Sequence, residues 1–140
     1  MQTGVILGFD FGFKRIGIAV GQLITRTATP LQIIAAQHGI PNWADIDLIM
    51  AEYQPIALVV GLPLNMDGTE QTLTQCARKF ANRLYDRYHL KPHLVDERLT
   101  TREVKQSLFE QGGKRKLDKH HKKLDTLAAQ IILEGWLKDH

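Results

Sequence analysis

The chain has 140 residues, with 18 Lys and Arg against 15 Asp and Glu, and one cysteine. That length fits one domain spanning residues 1–140 and leaves little room for two. The lone Cys76 excludes an internal disulfide framework and a cysteine-based zinc site. No apolar run approaches the roughly 20 residues of a membrane span. The start, Met1-Gln2-Thr3-Gly4, has no basic segment leading into a cleavable apolar one. The expectation is a cytoplasmic domain with no membrane partner.

The first half reads as strands. Val5–Asp10 is an apolar run ending in an acid, Phe11–Lys14 is a tight connection, and Arg15–Val20 is a second apolar run. So short a connection makes the pair an antiparallel hairpin. Leu31–Ile34 reads as a third strand. Asn42 caps a helix with the stripe Ile46, Ile49, Met50 and Tyr53, stopped by Pro55. Ile56–Val60 is a buried strand. Asp67 or Thr69 opens a long helix with the stripe Leu73, Cys76, Ala77, Phe80, Leu84 and Tyr88. His93–Val95 is a short strand running into Asp96 and Glu97. Thr100 and Glu103 form a capping-box pattern, and Gly112-Gly113 ends that helix. The last helix carries Leu124, Leu127, Ala128, Ile131 and Gly135 on one stripe, with Ile132 and Trp136 beside it. An antiparallel start followed by crossovers predicts an α/β fold: a mixed five-stranded sheet flanked by helices. Such sheets place chemistry beyond the carboxyl ends of their parallel strands.

Three acidic positions stand at those ends: Asp10, the pair Asp96-Glu97, and Asp125 early in the last helix. Each has a plain structural role open to it. Asp10 can bond the backbone of its own turn. Asp96 or Glu97 can pair with Arg98 or Arg102. Asp125 can favour the positive end of its helix. Together, in a chain nearly without cysteine, they suit Mg²⁺ or Mn²⁺, hard cations that take oxygen ligands. Two such ions about 4 Å apart can activate a water and stabilise the leaving oxygen of a phosphodiester.

Charge supports that direction. Residues 114–123 hold six Lys or Arg and one acid, a local +5, whereas the whole chain carries only +3. The rest is therefore net negative. Lys114, Arg115 and Lys116 open this segment and can hold a phosphate backbone, or simply face solvent. Lys14 at the first turn and Asn65 after the fourth strand can reach phosphates. Arg98 can stabilise developing charge or form a structural ion pair. The loop Gly61–Glu70 lacks the Lys-Ser/Thr of a nucleotide P-loop. His120-His121 reads as surface histidines, because adjacent histidines diverge on a helix and a third zinc ligand is missing.

Four segments in order resemble one family: Phe9–Gly21, Val60–Glu70, Asp96–Thr101 and Asp125–Leu133. They are similar to the YqgF family of nucleases, also described as Holliday-junction-resolvase-like proteins. The resemblance implies an RNase H-like fold and a metal-dependent phosphodiesterase that trims the 5′ end of precursor 16S ribosomal RNA. It implies Asp10, Glu97 and Asp125 as metal-binding, catalytic carboxylates. Neighbouring strand residues face opposite ways, so one of Asp96 and Glu97 joins Asp10. The strand is too short for its alternation to decide, and the family pattern selects Glu97, with Asp96 as support. Phe13 departs from the pattern, which has a small or hydroxylated residue there. The alternatives are a resolvase of branched DNA and a non-catalytic RNA-binding or ribosome-assembly module. A resolvase works as a dimer. No unpaired apolar stripe advertises one, so a monomer or weak dimer is expected.

Overall fold

The short Phe11–Lys14 connection forces β1 (Val5–Asp10) and β2 (Arg15–Gln22) to pair antiparallel, with Asp10 opposite Gly17. The computed structural model describes residues 4–97 and 121–140, and of 121–126 the backbone alone. β3 (Thr27–Gln37) continues the antiparallel sheet, with a register shift between Ile18 and Ala19. It is longer than the expected Leu31–Ile34 at both ends. β3 then folds back into β4 (Ile40–Pro41) through His38 and Gly39, whose φ angles are 52° and 80°. Both lie in the left-handed region that two-residue hairpin turns require.

α1 (Trp43–Tyr53) starts where Asn42 Oδ1 accepts a hydrogen bond from the Ala44 amide, and it ends at Gln54, just before Pro55. β5 (Ala57–Leu62) lies parallel to β1, and β6 (His93–Asp96) lies parallel to β5. Between them α2 (Thr72–Tyr88) starts later than expected. Its cap is Gln71, whose amide donates to Thr74 Oγ1. Asp67 and Thr69 instead bond to each other within the preceding loop. The last described helix is α3 (His121–Lys138).

Among the described residues the sheet has six strands in the order β4-β3-β2-β1-β5-β6, not five. The extra strand is β4, and a two-residue strand has no periodicity to read. The mixed sheet flanked by helices stands as expected.

Two cores lie on its two faces. Leu7, Phe9, Ile18, Leu58 and Val60 pack with Ile46 of α1 and with Ala77, Phe80 and Leu84 of α2. Ile6, Ala19 and Val59 pack on the other face with Ala129, Ile132, Leu133 and Leu137 of α3. The residues of β1 and β5 thus alternate between helix layers, which explains their continuous apolar runs.

The α3 stripe is rotated from the expected one. Gly135 is exposed, and Leu127, Ala128 and Ile131 are half-buried; the Leu124 side chain lies outside the described residues. The reason is the sheet surface. A Cβ at Gly8 would stand 2.8 Å from Leu133 Cβ, so only glycine lets α3 settle there. That depression selects the Ala129–Leu133–Leu137 face.

α1 and α2 are tied at the surface. Arg87 donates to both Asp47 oxygens at 2.9 and 2.7 Å, and Tyr88 donates to Oδ1 at 2.7 Å. Those bonds, from Arg87 first and Tyr88 second, hold the Asp47 carboxyl down to about 2. Arg87 thus ties the two helices together at the surface.

Candidate active site

The alternation along β1 decides where its terminal acid points. Leu7 and Phe9 belong to the α1–α2 side, whereas Ile6 and Gly8 face α3. Asp10 is next on the α3 side and is half-buried. The same logic resolves the end of β6. The His93 ring lies 4.9 Å from that of Trp136 on α3, and Val95 packs into the α3-side core. Glu97 continues that side, and Asp96 is exposed.

Glu97 is 8% exposed, and its side chain lies across Gly61 of β5. A Cβ at Gly61 would stand 2.7 Å from Glu97 Cγ and 2.6 Å from Ile132 Cδ1. Gly61 is therefore the floor on which the carboxyl lies, a role the sequence reading missed. Its signal was a glycine inside a buried apolar strand, which marks a close approach. Gly61→Ala is expected to keep the sheet but displace Glu97, because the added carbon meets the stem of the side chain. Any activity that depends on the placement of this carboxyl should fall about tenfold or more, with circular dichroism near that of the wild type. Full activity in that variant would contradict the placement.

The Glu97 carboxyl is hydrogen-bonded to that of Asp10. Its pKa is raised, first by burial and further by the charge of Asp96, against the opposing effect of the Asp10 bond. Among the described residues, Glu97 Oε2 is buried with no hydrogen-bond partner. Such an oxygen is costly as it stands. The donor set is all oxygen and anionic, which fits a hard divalent cation and not a soft one.

Asp125 lies in α3, and its side chain is outside the described residues. The helix backbone still fixes its level. Leu137 lies over Gly21, which pairs with Ile6, and the Ala129 carbonyl stands 3.3 Å from a Cβ placed on Gly8. α3 therefore runs antiparallel to β1. Four residues back from Ala129 is about 6 Å along the helix. Two residues on from Gly8, to Asp10, is about 7 Å along the strand. Position 125 therefore lies beyond Ala129 in the direction of the Asp10 end of β1. Among the described residues, no group of three metal-ligating side chains comes together; Asp10 and Glu97 make a pair.

Around the pair, Lys14 and Asn65 are both exposed, in the loops after β1 and β5. Asn65 Nδ2 donates to Thr69 Oγ1, and its backbone amide donates to the Thr69 carbonyl, so this loop is braced from within. Arg98, Arg102, Thr100, Glu103, Gly112, Gly113, His120 and the basic Lys114, Arg115 and Lys116 lie outside the described residues, as does the His121 side chain. Cys76 is half-buried in the α2-side core, the packing role expected of it. No described helix is long and apolar enough to cross a membrane.

Known proteins resemble this chain in sequence and in fold. The chain is 53% identical over 139 residues to a protein of Aeromonas hydrophila subsp. hydrophila, covering 99% of this chain and 98% of the relative. It is 54% identical over 137 residues to one of Escherichia coli O1:K1, with 98% of each covered. Both relatives carry the provisional name pre-16S rRNA nuclease. Among solved structures, Thermus thermophilus RuvC in complex with a Holliday junction superposes with a TM-score of 0.58 at 14% identity, covering 97% of this chain and 94% of that one. The Fowlpox virus resolvase with junction DNA gives 0.53 at 12% identity, covering 96% and 97%. At such identities the likeness concerns the fold, which is RNase H-like, as expected. Residues 4–139 match the RuvX family of Holliday junction resolvases, and the chain belongs to that family.

Proposed function

We propose that the protein is a metal-dependent nuclease that processes the 5′ end of precursor 16S ribosomal RNA. The observation that carries this reading is the Asp10–Glu97 carboxyl pair at the ends of parallel strands, Asp10 half-buried and Glu97 buried with its Oε2 unpartnered among the described residues. The names of the Aeromonas and Escherichia relatives supply the substrate.

Asp10, Glu97 and Asp125 would hold the Mg²⁺ or Mn²⁺. Bound there, one or two such ions supply an activated water and stabilise the leaving oxygen. The chain's own residues do the rest. Gly61 lets the Glu97 carboxyl lie flat beside Asp10. Lys14 and Asn65 meet the phosphate backbone from the loops after β1 and β5. Arg98, Lys114, Arg115 and Lys116 hold the same polyanion and offset its repulsion by the acids. The cytoplasm, where ribosomes assemble, is the compartment this reading requires.

The family description favours a second reading, cleavage of branched DNA. Purified protein incubated with 5′-extended 16S precursor RNA and with a four-way DNA junction separates the two. With Mg²⁺ or Mn²⁺, the extension should be trimmed and the junction left largely intact. Junction cleavage with untouched RNA would overturn the RNA assignment.

A further inference from the structure

Beside the β1–β2 turn lies a cleft that the proposed chemistry does not use. It has a volume of about 490 Å³ and is walled by Ala35, Ala36, Gln37, His38, Ile40, Pro41 and Asn42 of the β3–β4 hairpin and the start of α1. That is within the size of small-ligand sites, roughly 300–1,000 Å³. Two backbone bonds fasten it to the turn that follows Asp10. The Gly39 amide donates to the Phe13 carbonyl at 2.9 Å, and the Ala36 amide donates to the Lys14 carbonyl at 2.8 Å.

Phe13 stands at this junction and is 40% exposed. Its ring meets the buried Phe11 edge-on, at 6.4 Å and 72°, and Phe11 is itself packed on Phe80 at 5.4 Å. Phe13 is thus an exposed aromatic on a stiff mount. Ile40, in the cleft wall, is 50% exposed. Phe13 is three residues from Asp10, so at most about 11 Å of chain separates the two. Lys14, exposed beside Phe13, supplies a positive charge for a phosphate in this stretch.

We propose that this cleft, together with Phe13, whose carbonyl is bonded to the hairpin that walls it, takes one unstacked nucleobase of the substrate strand, next to the phosphate held at Asp10 and Glu97. The inference rests on the nuclease reading above and adds what the enzyme selects: a strand whose base can leave its stack. Aromatic side chains stack on any base, and the apolar walls accept its flat face. Gln37 and His38 supply hydrogen-bonding edges. A continuous duplex offers no free base face, so it is excluded.

Single-stranded RNA carrying 5-iodouridine, irradiated with the Asp10→Asn protein in Mg²⁺, should crosslink to Phe13 or to the hairpin residues of the cleft. Steady-state cleavage of the same RNA should show KM raised about tenfold in Phe13→Ala, with a smaller change in kcat. Phe13→Trp should restore KM, which a merely structural role would not do. Crosslinks confined to other surfaces, or wild-type KM in Phe13→Ala, would overturn the proposal. Wild-type protein that binds RNA but does not cut it would sink the nuclease reading alone, and the crosslink would still decide the cleft. If no RNA is bound, both fall.

Discussion

Asp10→Asn is expected to abolish RNA cleavage, by about a thousandfold or more, while the protein stays folded. A thousandfold loss corresponds to about 4 kcal/mol of transition-state stabilisation. Asparagine keeps the size of the side chain and can still hydrogen-bond the Glu97 carboxyl. The β1–β2 ladder at Asp10 and Gly17 is untouched. What is lost is one negative charge at the point where the Asp10 and Glu97 carboxyls meet. A hard cation is held there by charge, so its occupancy falls with it. The melting temperature should change little, because asparagine keeps both the size of the side chain and a hydrogen bond to Glu97. Cleavage and thermal melting of the same preparation check both parts. Cleavage at the wild-type rate would remove Asp10 from the site.

Glu97→Gln should act in opposite directions on stability and activity. Burial holds the Glu97 pKa above its ordinary value of 4.5. A carboxyl raised in this way contributes stability that is fully present below its unfolded pKa and is lost as pH rises through the folded one. Above its ordinary pKa, metal-free wild type therefore loses stability by burying this ionisable carboxyl. Glutamine cannot ionise, and its amide can donate to Asp10. In chelator at pH 7 to 8, the variant should melt higher than wild type by about 3 °C or more, which corresponds to about 1 kcal/mol. The advantage should vanish below pH 4.5, where wild-type Glu97 is neutral. Adding Mn²⁺ should raise the melting temperature of wild type but not of the variant. Cleavage should fall at least a hundredfold. A variant that melts lower in chelator at pH 7 to 8 would mean that Glu97 is structural, its unpartnered oxygen notwithstanding.

Much of this was legible in the sequence because β1 and β5 are buried on both faces. Their unbroken apolar runs marked them as central, and the acid ending β1 then stood out. The Asp96-Glu97 pair could not be resolved that way. β6 has four residues, and its facing is set by contacts with α3, from His93 to Trp136 and from Val95 to the core. The α3 stripe was misread for a related cause. That helix is apolar over most of its circumference, and the choice of face lies with Gly8 and Gly21, more than a hundred residues earlier. The cap of α2 was misplaced because Asp67 and Thr69 are as good at bracing a loop as at capping a helix. β4 left no trace, since it is a by-product of the His38-Gly39 turn.

The proposed chemistry depends most directly on divalent cation binding at the carboxyl pair. Calorimetric titration of metal-free protein with Mn²⁺ measures it without any assumption about substrate. Wild type should bind Mn²⁺, and Asp10→Asn and Glu97→Gln should each lose that binding while remaining folded. Equal Mn²⁺ binding by all three proteins, or none by a wild type that still cuts RNA, would contradict it.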